Sequence, residues 1–223
     1  DTEDIGRADI GADRAGRLAQ SLGERRRRKN WLGEADGIGI VDIRKPIGEN
    51  IRALAKAKGV ETSEIRVAVL DRPRHELLIA EIREAGAGTR LLLDGDVAGG
   101  VNAARFDSNI DLCVGLGGTP EGIIAACAVK ALGGVGQGRR MPRGDGERQR
   151  ASDAGHDLSR VLEANDLVAS DNTYFVASGI TSADFVDGVR RRGPFVRTES
   201  IVMRSHSGTI RHVISDSLAD RWA

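Results

Sequence analysis

Aromatic side chains are scarce, at 3% of 223 residues. That excludes a core built on stacked rings and leaves Ala, Val, Leu and Ile to fill it, a composition suited to helices packed on a buried sheet. Charge of one sign is also missing: Lys+Arg and Asp+Glu are both 33. Such a balance excludes a general nucleic-acid binder but leaves room for a local basic pocket that takes a phosphorylated metabolite. Only two cysteines occur, Cys113 and Cys127, each inside an apolar run. They read as buried free thiols in a reducing compartment, not as a disulfide. No apolar run approaches the roughly 18 residues of a membrane span, and no charged-then-apolar start resembles a signal peptide. A cytoplasmic protein with no membrane partner is expected. The chain begins at Asp1 instead of Met, so a fragment or a processed product is expected. His75, His156, His206 and His212 form no metal-ligand spacing, and no Cys/His pair suggests a nucleophile.

Glycine, by contrast, is plentiful at 29 residues, a sign of tight turns and close backbone approaches. Residues 1–37 are rich in Arg, Asp, Glu and Gly. They read as an atypical charged tail, either disordered or carrying a short helix over Arg14–Leu22. The run Arg25-Arg26-Arg27-Arg28-Lys29 reads as a solvated charge run rather than a nucleic-acid contact. Order is expected from Gly39, with a strand over Ile40–Ile43 and a helix over Glu49–Lys58 that Gly59 ends. Residues 218–223 read as a C-terminal tail.

Three similar units follow. Ile65–Leu70, Arg90–Leu93 and Ile110–Leu116 read as strands. Each is followed by a distinctive loop: Asp71-Arg72-Pro73-Arg74, Asp94-Gly95-Asp96, and Gly117-Gly118-Thr119-Pro120-Glu121. Each loop is followed by a helix, over His75–Ala85, up to Ala104, and over Glu121–Leu132. Thr119 reads as the N-cap of the last helix and Pro120 as its first residue. Three strand–loop–helix units imply a parallel sheet with right-handed crossovers. Ligands of open α/β sheets bind beyond the carboxyl ends of the strands, so topology gathers the three loops at one edge. Further on, Asp145–Ala154 reads as a polar helix and Val161–Asp166 as a short helix or turn. Asp171–Ser178 reads as a strand, and Ser200–Arg204 with Gly208–Ser215 as a hairpin. A mixed sheet results.

Arg72 and Arg74 flank a proline at a helix start. Guanidinium forks bind phosphate oxygens bidentately, and a helix N-terminus adds N–H donors. The competing reading is two surface arginines paired with Asp71 and a nearby Glu. Asp94 and Asp96 suit a divalent cation, a sugar's hydroxyls or a helix cap. Their surroundings also resemble the Asp-x-Asp nucleophile loop of haloacid-dehalogenase-type phosphatases, but that loop ends the first strand of its domain, and here two strands precede it. Glu121 in a first helical turn suits either the helix dipole or a metal. Gly117 and Gly118 permit either a close ligand approach or a tight turn.

Read in order, Leu70-Asp71-Arg72-Pro73-Arg74-His75, Asp94-Gly95-Asp96-Val97-Ala98 and Gly117-Gly118-Thr119-Pro120-Glu121-Gly122-Ile123-Ile124-Ala125-Ala126 resemble class II fructose-1,6-bisphosphatases. Gln137-Gly138-Arg139, Glu147-Arg148-Gln149-Arg150, Asp166-Leu167-Val168 and Met203-Arg204-Ser205-His206-Ser207-Gly208-Thr209-Ile210 continue the likeness. The resemblance implies an α/β layered sandwich of the metal-dependent sugar phosphatase type, related to inositol monophosphatase. Here it would comprise three βα units followed by a mixed β region. It implies hydrolysis of the 1-phosphate of fructose 1,6-bisphosphate in gluconeogenesis with Mn²⁺ or Mg²⁺, and a homo-oligomer at full length. By the same resemblance Arg72, Pro73 and Arg74 contact substrate, with the arginines at its non-reacting phosphate. Asp94, Gly95 and Asp96 hold the sugar, Gly118 lies against it, and Glu121 ligates metal. Residues 38–217 would be the sugar-phosphate-binding C-terminal part. The family's acidic Gly-Glu-Gly-Glu and Asp-Pro-Ile-Asp-Gly-Thr motifs, which supply most metal ligands, do not occur in this chain. Three functions therefore stand: a fructose bisphosphatase inactive as this chain alone, a non-catalytic sugar-phosphate-binding or subunit-interaction module, and a sedoheptulose-1,7-bisphosphatase.

Overall fold

The computed structural model describes residues 40–93, 95–142, 144–183 and 185–221, together with the strand β1 (Arg17–Glu24). After β1 come helix α1 (Ile47–Lys58), strand β2 (Arg66–Leu70), helix α2 (Glu76–Glu84), strand β3 (Gly88–Leu92) and helix α3 (Asp96–Ala104). They are followed by strand β4 (Leu112–Gly118), helix α4 (Thr119–Ala131), strand β5 (Val135–Met141), helix α5 (Asp145–Asp153), the short strand β6 (Leu162–Glu163) and helix α6 (Ala164–Leu167). Strands β7 (Tyr174–Ser178), β8 (Arg190–Arg192), β9 (Phe195–Arg204) and β10 (Thr209–Leu218) complete the chain. The first sheet has the order β3-β2-β4-β1-β5-β6. β2 runs parallel to β3 and β4, whereas β1 is antiparallel to both β4 and β5. The sheet is thus mixed.

Alternation along the parallel strands sorts the core. Val67, Val69, Leu112 and Val114 pack with Ile51 and Leu54 of α1 and Ile79 and Ile82 of α2. Ala68 and Cys113, between those positions, pack against Ala103 and Ala104 of α3 and Ala125 and Val129 of α4. Small residues on that face let the Ala-rich helices approach closely. The outward sides of α3 and α4, at Val101, Ala128 and Ala131, meet a second sheet through Phe175, Ile201 and Met203. In that antiparallel sheet β9 pairs with β10 along one side and with β7 on the other, and β8 pairs with the far end of β9. Both helices are therefore covered by a sheet on two sides. Asp111 joins the first strands at their amino ends: it accepts the Arg66 backbone N–H at 2.8 Å and is ion-paired with Lys58 of α1.

Several expectations are met. The helix ending at Lys58 is closed by Gly59 in the left-handed region, φ 67°. The three βα units and the polar helix α5 are present, and the hairpin of β9 and β10 runs longer than expected, pairing from Thr209↔Arg204 to Leu218↔Phe195. Both cysteines are free, and burial pushes the Cys127 thiol pKa up. Among the described residues no helix is long and apolar enough to cross a membrane.

Other expectations are corrected. Arg17–Glu24, which overlaps the short helix expected over Arg14–Leu22, forms a strand that takes hydrogen-bonding partners on both edges. The rest of the charged tail, with Arg25–Lys29, lies outside the described residues. Ile40–Ile43 is not a strand but a turn, because side-chain amides satisfy its backbone. Asn50 accepts the Asp42 N–H at 2.9 Å and donates to the Asp42 carbonyl at 2.9 Å, and Gln137 accepts the Ile43 N–H at 2.9 Å. The N-cap of α4 is Gly118, extended at φ −73° and ψ 152°, so Thr119 and Pro120 are its first two helical residues.

Candidate functional site

The carboxyl ends of β2, β3 and β4 lie side by side. The loop after β2 is held to its neighbour by the Asp71 N–H, which donates to the Leu92 carbonyl at 2.8 Å. Pro73, Arg74 and His75 form one 3₁₀ turn leading into α2, with proline at a position where no N–H is needed. Pro73 and Arg74 are exposed and Arg72 is half-buried.

The two arginines differ in what holds them. Arg72 donates through Nη1 to the carbonyl of its neighbour Asp71 at 3.0 Å. Arg74 reaches across to β4 and donates through Nε to the Leu116 carbonyl at 2.9 Å. Its Nη groups have no partner among the described residues and face solvent as a fork on a fixed stem. The Arg74 guanidinium has no acidic partner among the described residues.

Behind them His75 is fully buried, at 0% exposure. Its Nδ1 lies 2.9 Å from the Leu70 carbonyl, and the Leu116 N–H donates to its Nε2 at 2.8 Å. A carbonyl only accepts and an amide N–H only donates, so the ring is neutral with its proton on Nδ1. Gly115 leaves room for it: a Cβ there would stand 3.3 Å from the ring's Cε1. The adjacent residues Arg74 and His75 thus grip both ends of the Leu116 residue. No motif of the sequence marked that link. The only signal was a histidine directly after the arginine loop.

The third loop supplies Gly118 and Glu121. The Glu121 carboxylate folds back over Gly118 and occupies the space where a Cβ would sit. Gly118 has an ordinary backbone conformation, so its value lies in this close approach. Glu121 is exposed in the first turn of α4, with no hydrogen-bond or ionic partner among the described residues. Of the middle loop, Gly95 caps α3 in the left-handed region at φ 80°, and Asp96 is the first residue of α3. Asp94 lies outside the described residues. The structure therefore brings Arg72, Pro73, Arg74, Gly118 and Glu121 to one edge and starts α3, with Gly95 and Asp96, beside it.

The crevice between the strand ends, lined by Leu70, Leu92, Gly115 and Leu116, holds only about 10 Å³. That volume leaves no room for a ligand larger than a water between the strands. A larger open cleft of about 490 Å³, lined by Asn102, Arg105 and Asp107, lies where α3 ends, away from this edge. Its Arg105 is already held bidentately by Asp107 at 2.8 and 2.6 Å.

Among the described residues no three His, Cys, Asp or Glu side chains converge as a metal site. Glu121 is a single donor, and one carboxylate does not complete the 6 or so oxygen ligands typical of Mg²⁺ and similar hard cations. The residues described thus do not by themselves fit the cation that the resemblance implies.

Fold and loops together define an α/β protein with three loops gathered at the carboxyl edge of a mixed sheet. Comparison with known proteins narrows this class. The family model of bacterial, glpX-encoded fructose-1,6-bisphosphatases matches residues 27–217, and the chain belongs to that family. It is 40% identical over 190 residues to the class 2 fructose-1,6-bisphosphatase of Haemophilus influenzae, a match covering 79% of this chain and 57% of the relative. It is 35% identical over 196 residues to fructose-1,6-bisphosphatase 1 class 2 of Escherichia coli K12, covering 82% of this chain and 58% of that protein. The chain thus spans less than two-thirds of the length of these relatives.

Proposed function

We propose that this chain is the sugar-phosphate-holding part of a fructose 1,6-bisphosphate 1-phosphatase. The observation that carries this reading is Arg74, its guanidinium anchored by Nε on Leu116 with both Nη groups turned to solvent. Such a fork is preorganised for the non-reacting phosphate, and Arg72, Pro73 and the first turn of α2 border it. Asp94, Gly95, Asp96 and Gly118 receive the sugar in this reading, and Glu121 is one ligand of the Mn²⁺ or Mg²⁺ of the family. The remaining ligands are not supplied by the described residues. The layered sandwich of the metal-dependent sugar phosphatases is the proposed fold, supported by α3 and α4 lying between two sheets. Residues 38–217 are the proposed binding unit.

Phosphoryl transfer to water needs cations that activate the nucleophile and neutralise the leaving oxygen. This chain alone should therefore bind sugar phosphate without turnover, which is how the reading as a non-catalytic module applies to it. Phosphate release from fructose 1,6-bisphosphate with excess Mn²⁺ tests the second half: turnover within the usual range of about 1–1,000 per second overturns it. Calorimetric titration with fructose 6-phosphate tests the first. Arg74→Ala should weaken binding roughly tenfold to a hundredfold, since a charge-assisted hydrogen bond is worth about 1.5–3 kcal/mol. Arg74→Lys should recover only part of the loss, because an ammonium lacks the planar fork. Equal binding by wild type and the Ala variant removes the arginine from the site. A parallel titration with sedoheptulose 7-phosphate reports which sugar the surface prefers.

A further inference from the structure

We infer that His75 is a positioning residue that sets the phosphate fork before any ligand arrives, an inference that rests on the sugar-phosphate reading of this edge. Three observations carry it. The ring is fully buried and its two nitrogens bridge two strands, Nδ1–H donating to Leu70 at the end of β2 and Nε2 accepting from Leu116 near the end of β4. The Leu116 carbonyl is the anchor of Arg74, so the group that locates the guanidinium is located in turn by the next residue of the arginine loop. Gly115 is cut away to admit the ring. Arg74, Leu116 and His75 thereby close a short circuit of bonds between two loops, although Leu116 is 41 residues from His75 in the chain. Without an acceptor at Nε2, the Leu116 N–H loses its partner, and the end of β4 that carries the Arg74 anchor is held less firmly. The phosphate would then bear the ordering cost, because an unfixed arginine loses rotamer freedom on binding.

A role in positioning is separable from a role in stability because the two nitrogens can be removed one at a time. The amide of His75→Gln reaches the place of Nε2 and still accepts the Leu116 N–H. The shorter His75→Asn reaches only the place of Nδ1 and keeps the bond to Leu70. Each variant loses one hydrogen bond, so the two should lower the melting temperature similarly. Affinity for fructose 6-phosphate by calorimetry should not follow the melting temperature. His75→Gln should stay within about threefold of wild type, and His75→Asn should lose roughly tenfold, one decade for 1.4 kcal/mol. If the Gln and Asn variants bind alike while Arg74→Ala still weakens binding, the inference about His75 is overturned and the reading of the site stands. If the wild type binds neither fructose 6-phosphate nor inorganic phosphate, the reading of the site fails and the inference falls with it. Should both variants fail to fold, hydrogen exchange of the wild type decides. A slow Leu116 amide whose rate is unchanged by ligand supports a preset clamp, and a fast one overturns it.

Discussion

Gly118 separates binding from folding at the scale of one residue. Its backbone suits any residue, so Gly118→Ala should leave the melting temperature nearly unchanged. The added methyl takes the space of the Glu121 carboxylate and must swing it aside, so fructose 6-phosphate binding should weaken measurably by calorimetry. An unchanged affinity would show that neither group lies against the ligand. Asn50 shows the opposite balance. It is 4% exposed and its amide ties the 40–45 turn to α1. Asn50→Ala should cost about 1–3 kcal/mol in urea denaturation, because the half-buried Asp42 N–H and carbonyl lose their partner. Beside it the Arg44 side chain and backbone N–H hold the Asp42 carboxyl down, to a pKa of about 2 from 3.8. A depressed carboxylate stabilises the fold above its unfolded pKa, and that contribution fades as pH falls from about 4 towards 2. Comparing wild type with Asp42→Asn should show a steeper loss for the wild type in this window only. The difference should be small, since the pair is largely exposed and screened.

At the scale of elements, what was legible in the sequence was what is locally encoded. β2 reads as a strand because Val67, Ala68 and Val69 are all buried, on two faces. α4 reads as a helix because Thr119–Ala131 is small and apolar after Pro120. The three loops could be placed at one edge because parallel strands leave them nowhere else. β5 went unread: Val135–Met141 holds two glycines and two arginines and no apolar alternation, and its strand character comes from pairing with β1 and β6. Ile40–Ile43 misled in the other direction, its β-branched residues being overruled by the amides of Asn50 and Gln137. The arginine fork was legible as chemistry, but its anchor on Leu116 was not, since only the packed strands bring the two together. The hairpin of β9 and β10 carries a prediction of its own. Its near half packs on α4, while at its far end Ile214 is 58% exposed and Phe195 and Leu218 are also open to solvent. β10 is an edge strand among the described residues, and an open apolar edge favours association. Sedimentation velocity should show self-association that rises with concentration, and Ile214→Lys should reduce it. A wild type that stays monomeric at high concentration would show that the edge is protected.

For the molecule as a whole, the fold depends on late chain segments covering early ones. Removing residues 172–223 would uncover Val101, Ala128 and Ala131. The truncated chain should bind a hydrophobic dye and elute as aggregates. If it stays a clean monomer, the second sheet is an accessory and not a cover. The same arrangement has a meaning in time. A ribosome finishes α3 and α4 well before it makes β7–β10, so the nascent chain displays a bare alanine and valine face while residues 172–223, 52 in number, are added. At about 5–20 residues per second that interval lasts roughly 3–10 s, long compared with hydrophobic collapse. Slower translation after codon 171 should therefore lower the soluble yield, measured against synonymous variants translated at the normal rate.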